Sequence, residues 1–153
     1  MTEYLILVKH SLPEIVEGLP AREWNLSDEG RTRAQQLAEQ LSQFHPEVIV
    51  SSIEPKAKET AEIIAARYNL ETYIADGLHE HERTALPFLS HTEFQAAISG
   101  FFEKPDTLVL GSETADETNA RFYQAVHSVL NDYADKTIII VAHGTVIHYL
   151  CHA

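Results

Sequence analysis

YLILVKHSLPE, residues 4–14, runs through five apolar positions and then breaks off in Lys9, His10 and Ser11, just ahead of Pro13. A short run that is apolar at every position, instead of alternating, predicts a strand buried on both faces. Such a strand delivers a cation and an imidazole to the point where it ends. The pattern returns twice: EVIVSS at 47–52 closes on Ser51–Ser52, and TIIIVAHG at 137–144 closes on His143 and Gly144.

Helical periodicity fills the gaps between these runs. LSDEGRTRAQQLAEQLSQF opens with Ser27 as N-cap and acids in its first turn, sets Leu37 and Leu41 on one face, and is stopped by Pro46. KAKETAEIIAARY, following Pro55, turns Ala57, Ala61 and Ile64 inward. A long helix is expected over 113–133, with Phe122, Val126, Val129 and Leu130 near one stripe, and a last helix from Thr145. ETYIAD at 71–76 alternates like a short strand, and 77–111 reads as an irregular insert or lid with one helix at 91–103. Strands alternating with helices predict an α/β fold: a three-layer α/β/α sandwich around a mainly parallel central sheet. Ligands of such sheets bind beyond the carboxyl ends of the strands, where His10, Ser51–Ser52 and His143 all fall.

At 153 residues, with no repeat or linker, the chain is expected to form a single domain. No apolar run approaches the ~20 residues that span a bilayer. The single cysteine, Cys151, and an N-terminus without a basic region favour a cytoplasmic setting. A net charge of -12 repels nucleic acid and anionic membranes, so neither is expected as a partner. Only eleven Lys and Arg are present, which makes the place of each cation informative.

Four groups can carry chemistry. A neutral His10 is a good nucleophile toward phosphorus, with Lys9 beside it to favour an anion; the plainer alternative is a histidine that caps a strand. His143 precedes Gly144 and a helix N-terminus, which offers free N–H groups to an anion. Lys56, in the first turn after the second strand, can face the same crevice, whereas Lys58 reads as a solvated helix lysine. In GLHEHERT, residues 77–84, an acid is placed to protonate a leaving group, and the alternating His79, Glu80, His81 and Glu82 also raise a metal site or an exposed polar loop. No further ligands stand at spacings typical of zinc.

In this order the four groups resemble the histidine phosphatase superfamily, the phosphoglycerate-mutase-like fold. Its Arg-His-Gly motif is matched by Lys9, His10 and Ser11. Its Leu-Ser/Thr-x-x-Gly-x-x-x-Ala pattern is matched by Leu26, Ser27, Gly30 and Ala34. Ser51, Lys56, Ala57, Thr60 and Ala61 match Ser-x-x-x-x-Arg-Ala-x-x-Thr-Ala. Leu78 and Glu80 match Leu-x-Glu, and His143 with Gly144 the closing His-Gly. The resemblance implies that His10 is transiently phosphorylated and that His143, Lys9 and Lys56 hold the phosphoryl oxygens. It implies that Glu80 is the acid, with Glu82 its rival, that Arg83 assists binding, and that no metal or other cofactor is needed. Both family arginines are lysines here. A lysine keeps the charge but loses the planar fork that grips two oxygens. Ser11 adds a Cβ where the family has glycine, and its hydroxyl could donate to the phosphate.

The leading expectation is therefore a metal-independent phosphatase acting on a small phosphorylated substrate or a phosphoprotein. The first rival is a binding module that holds a phosphorylated ligand without turnover; a mutase is disfavoured by the short 77–111 segment. A second rival is a metal-dependent hydrolase built on His79, His81, His148 and His152. The family usually continues past the last helix into a further strand, so C-terminal elements are expected beyond this sequence, or the domain is minimal. An unpaired sheet edge could then favour a homodimer.

Overall fold

The computed structural model describes residues 4–83 and 89–152. Along the chain the elements are β1 (Leu5–Lys9), α1 (Asp28–Leu41), β2 (Val48–Ser51), α2 (Pro55–Tyr68), β3 (Thr72–Ile74), α3 (His91–Glu103), α4 (Ala115–Asp132), β4 (Ile138–Ala142) and α5 (Gly144–His152), with 3-10 turns at Ala21–Glu23 and Ser42–Phe44. The strands form one sheet in the order β1-β4-β2-β3, and every neighbouring pair is parallel. The α/β sandwich read from the sequence is the architecture observed.

The helices begin where the chemistry of their first turns dictates. Ser27 accepts the Gly30 N–H, Pro55 takes the first turn of α2, and Thr114 closes a capping box with Glu117. Both faces of the sheet are covered because β4 alternates between them. Ile138, Ile140 and Ala142 pack with Phe122, Val126 and Val129 of α4, whereas Ile139 and Val141 pack with Ala38 and Leu41 of α1 and Ala57, Ala61 and Ile64 of α2. All five β4 residues are buried, and burial of each large aliphatic side chain stabilises by roughly 1.5–3 kcal/mol. The carboxyl ends of β1, β4 and β2 lie side by side, with Lys9 opposite Ala142 and Ser51 opposite Val141.

Candidate active site

His10 leaves β1 still attached to the sheet, its N–H donating to Ala142 O at 2.9 Å. His143 follows Ala142 directly, so adjacent strands set the two imidazoles side by side, with ring centroids 5.2 Å apart. His10 Nδ1 lies 2.7 Å from Ser11 O. A carbonyl only accepts, so Nδ1 carries the hydrogen and Nε2 keeps its lone pair. Burial, followed by the charges of Lys56 and Lys9, outweighs the Ser11 contact and lowers the His10 pKa to about 4. Burial and the neighbouring His10 lower that of His143 to about 2. Both rings are neutral near pH 7.

His143 is fully buried, with Nε2 2.8 Å from Ser52 Oγ. Its Nδ1 is enclosed and has no hydrogen-bond partner. Lys9 is exposed but lies along the start of α5: a Cβ built on Gly144 comes 3.5 Å from its Cε and 3.8 Å from its Nζ. Lys56 is buried, and its Nζ donates to Ala21 O at 2.6 Å and to Glu54 Oε2 at 2.5 Å. It enters the site as half of an ion pair rather than as a bare cation.

Ser11 departs from what its place in the motif implied. Its hydroxyl, expected to donate to a phosphate, donates to Gly30 O at 2.7 Å, and its N–H to Thr60 Oγ1 at 3.0 Å. The side chain ties the loop after β1 to α1. Gly30 permits the contact, because a Cβ there would lie 2.1 Å from Leu12 O.

Of the two rival acids, the structure brings Glu80 to the histidines. Its Oε2 accepts the Thr145 N–H at the start of α5, and its Oε1 accepts the His81 N–H. Its charge is felt by His10. Glu82 is exposed and turns to His79, 3.3 Å away, and to Ser112. Arg83 donates to Thr145 Oγ1 at 2.7 Å and to His81 Nδ1 at 3.1 Å, and lies over the Phe94 ring. His81 passes its other nitrogen to Glu113 O, which fixes a neutral ring between the two. Of the histidines weighed for a metal, His79 faces Glu82, His81 lies between Arg83 and Glu113, and His148 is tilted against His152 and edge-on to Phe102. Among the described residues no group of three or more His, Cys, Asp and Glu is placed to hold a metal ion. Thr84, the last residue of GLHEHERT, lies outside the described residues.

Three participants were not legible in the sequence. Glu54 stands at the N-cap position of α2 without its side chain capping the helix, and is a buried carboxylate beside Lys56, Glu80 and His143. Arg121 of α4 pairs with Glu113 at 2.6 Å and donates to the carbonyls of Gly77, His79 and Glu80, clamping the stretch of chain that carries Glu80. Thr145 anchors both Glu80 and Arg83. The only available signal was Pro55, which marks residue 54 as a helix cap.

Two neutral imidazoles, two lysines, an arginine and the carboxylates of Glu54 and Glu80 thus gather beyond the carboxyl ends of β1, β4 and β2. The comparison with known proteins is more specific: a model of the histidine phosphatase superfamily (branch 1) matches residues 6–153. The chain belongs to that family. It is 29% identical over 128 residues to the uncharacterized phosphatase PhoE of Bacillus subtilis (strain 168), covering 82% of this chain and 62% of that protein. The chain thus spans less than two thirds of this relative. Among solved structures, a mycobacterial glucosyl-3-phosphoglycerate phosphatase in complex with inorganic phosphate superposes with a TM-score of 0.78 at 26% identity, over 96% of this chain and 76% of that one. YhfR of Bacillus stearothermophilus shares the fold, with a TM-score of 0.77 at 23% identity over 96% and 77% of the two chains.

Proposed function

We propose that this chain is a metal-independent phosphatase that hydrolyses a phosphomonoester through a phosphohistidine on His10. The observation that carries the reading is the His10 ring: its Nδ1–H is committed to Ser11 O, its Nε2 is unprotonated, and His143 stands 5.2 Å away. His10 Nε2 attacks phosphorus, a P–N bond forms, and the P–O bond to the leaving group breaks as Glu80 gives that oxygen a proton. Water then attacks phosphorus, Glu80 takes its proton, and the P–N bond breaks to return neutral His10 and inorganic phosphate. Lys9, Lys56 and His143 hold the phosphoryl oxygens, and at ~4 Å with an effective dielectric near 20 each cation contributes roughly 4 kcal/mol toward a unit anion. A phosphoryl oxygen has no proton to give, so His143 meets it as a donor.

The substrate we infer is a phosphorylated small molecule or phosphoprotein. The alternative is a pocket that binds phosphate without turnover, and the buried Glu54–Lys56 pair is the observation that favours it. Brief exposure to an aryl phosphate separates the two. The expected result is an acid-labile label on His10, turnover that survives a chelator, and loss of at least 99% of turnover in His10→Ala. Full activity in that variant sinks the mechanism, and phosphate binding without label selects the binding module.

A further inference from the structure

Glu54 takes no part in the steps above, yet its carboxylate touches three of the groups that carry them. Oε2 pairs with Lys56 at 2.5 Å, and Oε1 accepts the Glu80 N–H at 2.9 Å while lying 3.5 Å from His143 Nε2. The residue is 7% exposed, and its N–H is held by Ser52 Oγ, the hydroxyl that also meets His143. A buried anion at this place repels the ligand the site is built to take. Its presence needs a reason.

Lysine supplies one. An ammonium is a point charge with three rotatable donors on a flexible stem, and nothing intrinsic aims it. Glu54 Oε2 and Ala21 O take two of those donors and leave the third for a phosphoryl oxygen. Because it is charged, Glu54 also offsets the cation that it aims. We propose that Glu54 is a positioning residue that aims Lys56 and counterbalances its charge, so that inorganic phosphate, the product, is held weakly and leaves. The inference rests on phosphate binding at the His10 site and deepens that reading.

Glu54→Gln keeps an oxygen for the Glu80 N–H and removes the charge. Titration calorimetry with inorganic phosphate at pH 7.5 should give binding at least tenfold tighter than the parent, about 1.4 kcal/mol. Phosphate should also raise the melting temperature of the variant more than that of the parent, since the ligand becomes the counterion of Lys56. With an aryl phosphate both kcat and KM should fall, the split expected when product leaves slowly. A purely structural role lowers the melting temperature without tightening phosphate. Should Glu54→Gln fail to fold, the Glu54→Gln/Lys56→Met variant, which removes both members of the buried pair, is expected to fold and to bind phosphate at least tenfold more weakly than the parent. Unchanged binding there, or equal or weaker binding by folded Glu54→Gln, overturns the inference. If the parent binds no phosphate, the proposed function and this inference fall together. If the parent binds it and Glu54→Gln does not tighten it, only the inference falls.

Discussion

An imidazole attacks phosphorus only while it carries no proton, and burial keeps His10 in that form with a pKa lowered to about 4. Proton NMR of the histidine ring signals should therefore place the His10 midpoint near 4, with His143 still neutral there; a His10 midpoint at 6.5 would contradict the packed geometry. At Lys9 the cation stands beside Gly144 with room around it, because the residue is exposed. Lys9→Arg is accordingly expected to keep or raise kcat/KM for an aryl phosphate, and a tenfold loss would mean that the compact ammonium matters. His10 and His143 stood out in the sequence because they end apolar runs, whereas Glu80 was set ahead of Glu82 only by the Leu-x-Glu resemblance through Leu78. Glu54 did not stand out. An acid ahead of a helix reads as a solvated cap, and only the approach of Lys56 and the backbone of residue 80 turns it into an internal group.

Helix α1 does more than cover the sheet: it seats the loop that follows His10. A Cβ at Gly30 would meet Leu12 O at 2.1 Å, and Gly30 O receives the Ser11 hydroxyl. Gly30→Ala must push that loop away, at a cost of roughly 1–3 kcal/mol for an overpacked contact. Calorimetry should find the lowered melting temperature, and kcat for an aryl phosphate should fall with it; normal values for both would show that the loop is soft. Arg121 of α4 and Glu113, just ahead of that helix, seat the backbone around Glu80 in a similar way, and their side chains are 21% and 15% exposed. Breaking a largely buried pair costs about 3–5 kcal/mol, so Arg121→Met should lower stability by an amount near the low end, and kcat more than it raises KM. The helices and strands themselves followed from apolar period, caps and Pro55. Pairings between them, such as Arg121 with the carbonyls of residues 77–80, were invisible because no local pattern encodes which helix face meets which loop.

Taken as a whole, the molecule buries neutral histidines inside an acidic shell of net charge -12. Burial lowers the pKa values of His10, His81 and His143 below the ordinary 6.5. The unfolded chain therefore binds more protons than the native one below that value, and stability falls as pH is lowered from 6.5 toward 5. This window lies above the range where carboxylates take up protons and relieve the acidic shell. Melting temperatures should decline across it, and a flat profile would mean that water reaches the three rings in the native state. Another consequence follows from β1 and β4 being hydrogen-bonded neighbours. Parallel strands stand about 4.8 Å apart whatever their side chains, so the gap between the two imidazoles is copied from the backbone itself. It works as a ruler that side-chain substitution cannot stretch. Exchanging the loops around the two rings should thus leave their spacing unchanged while altering everything else that surrounds them.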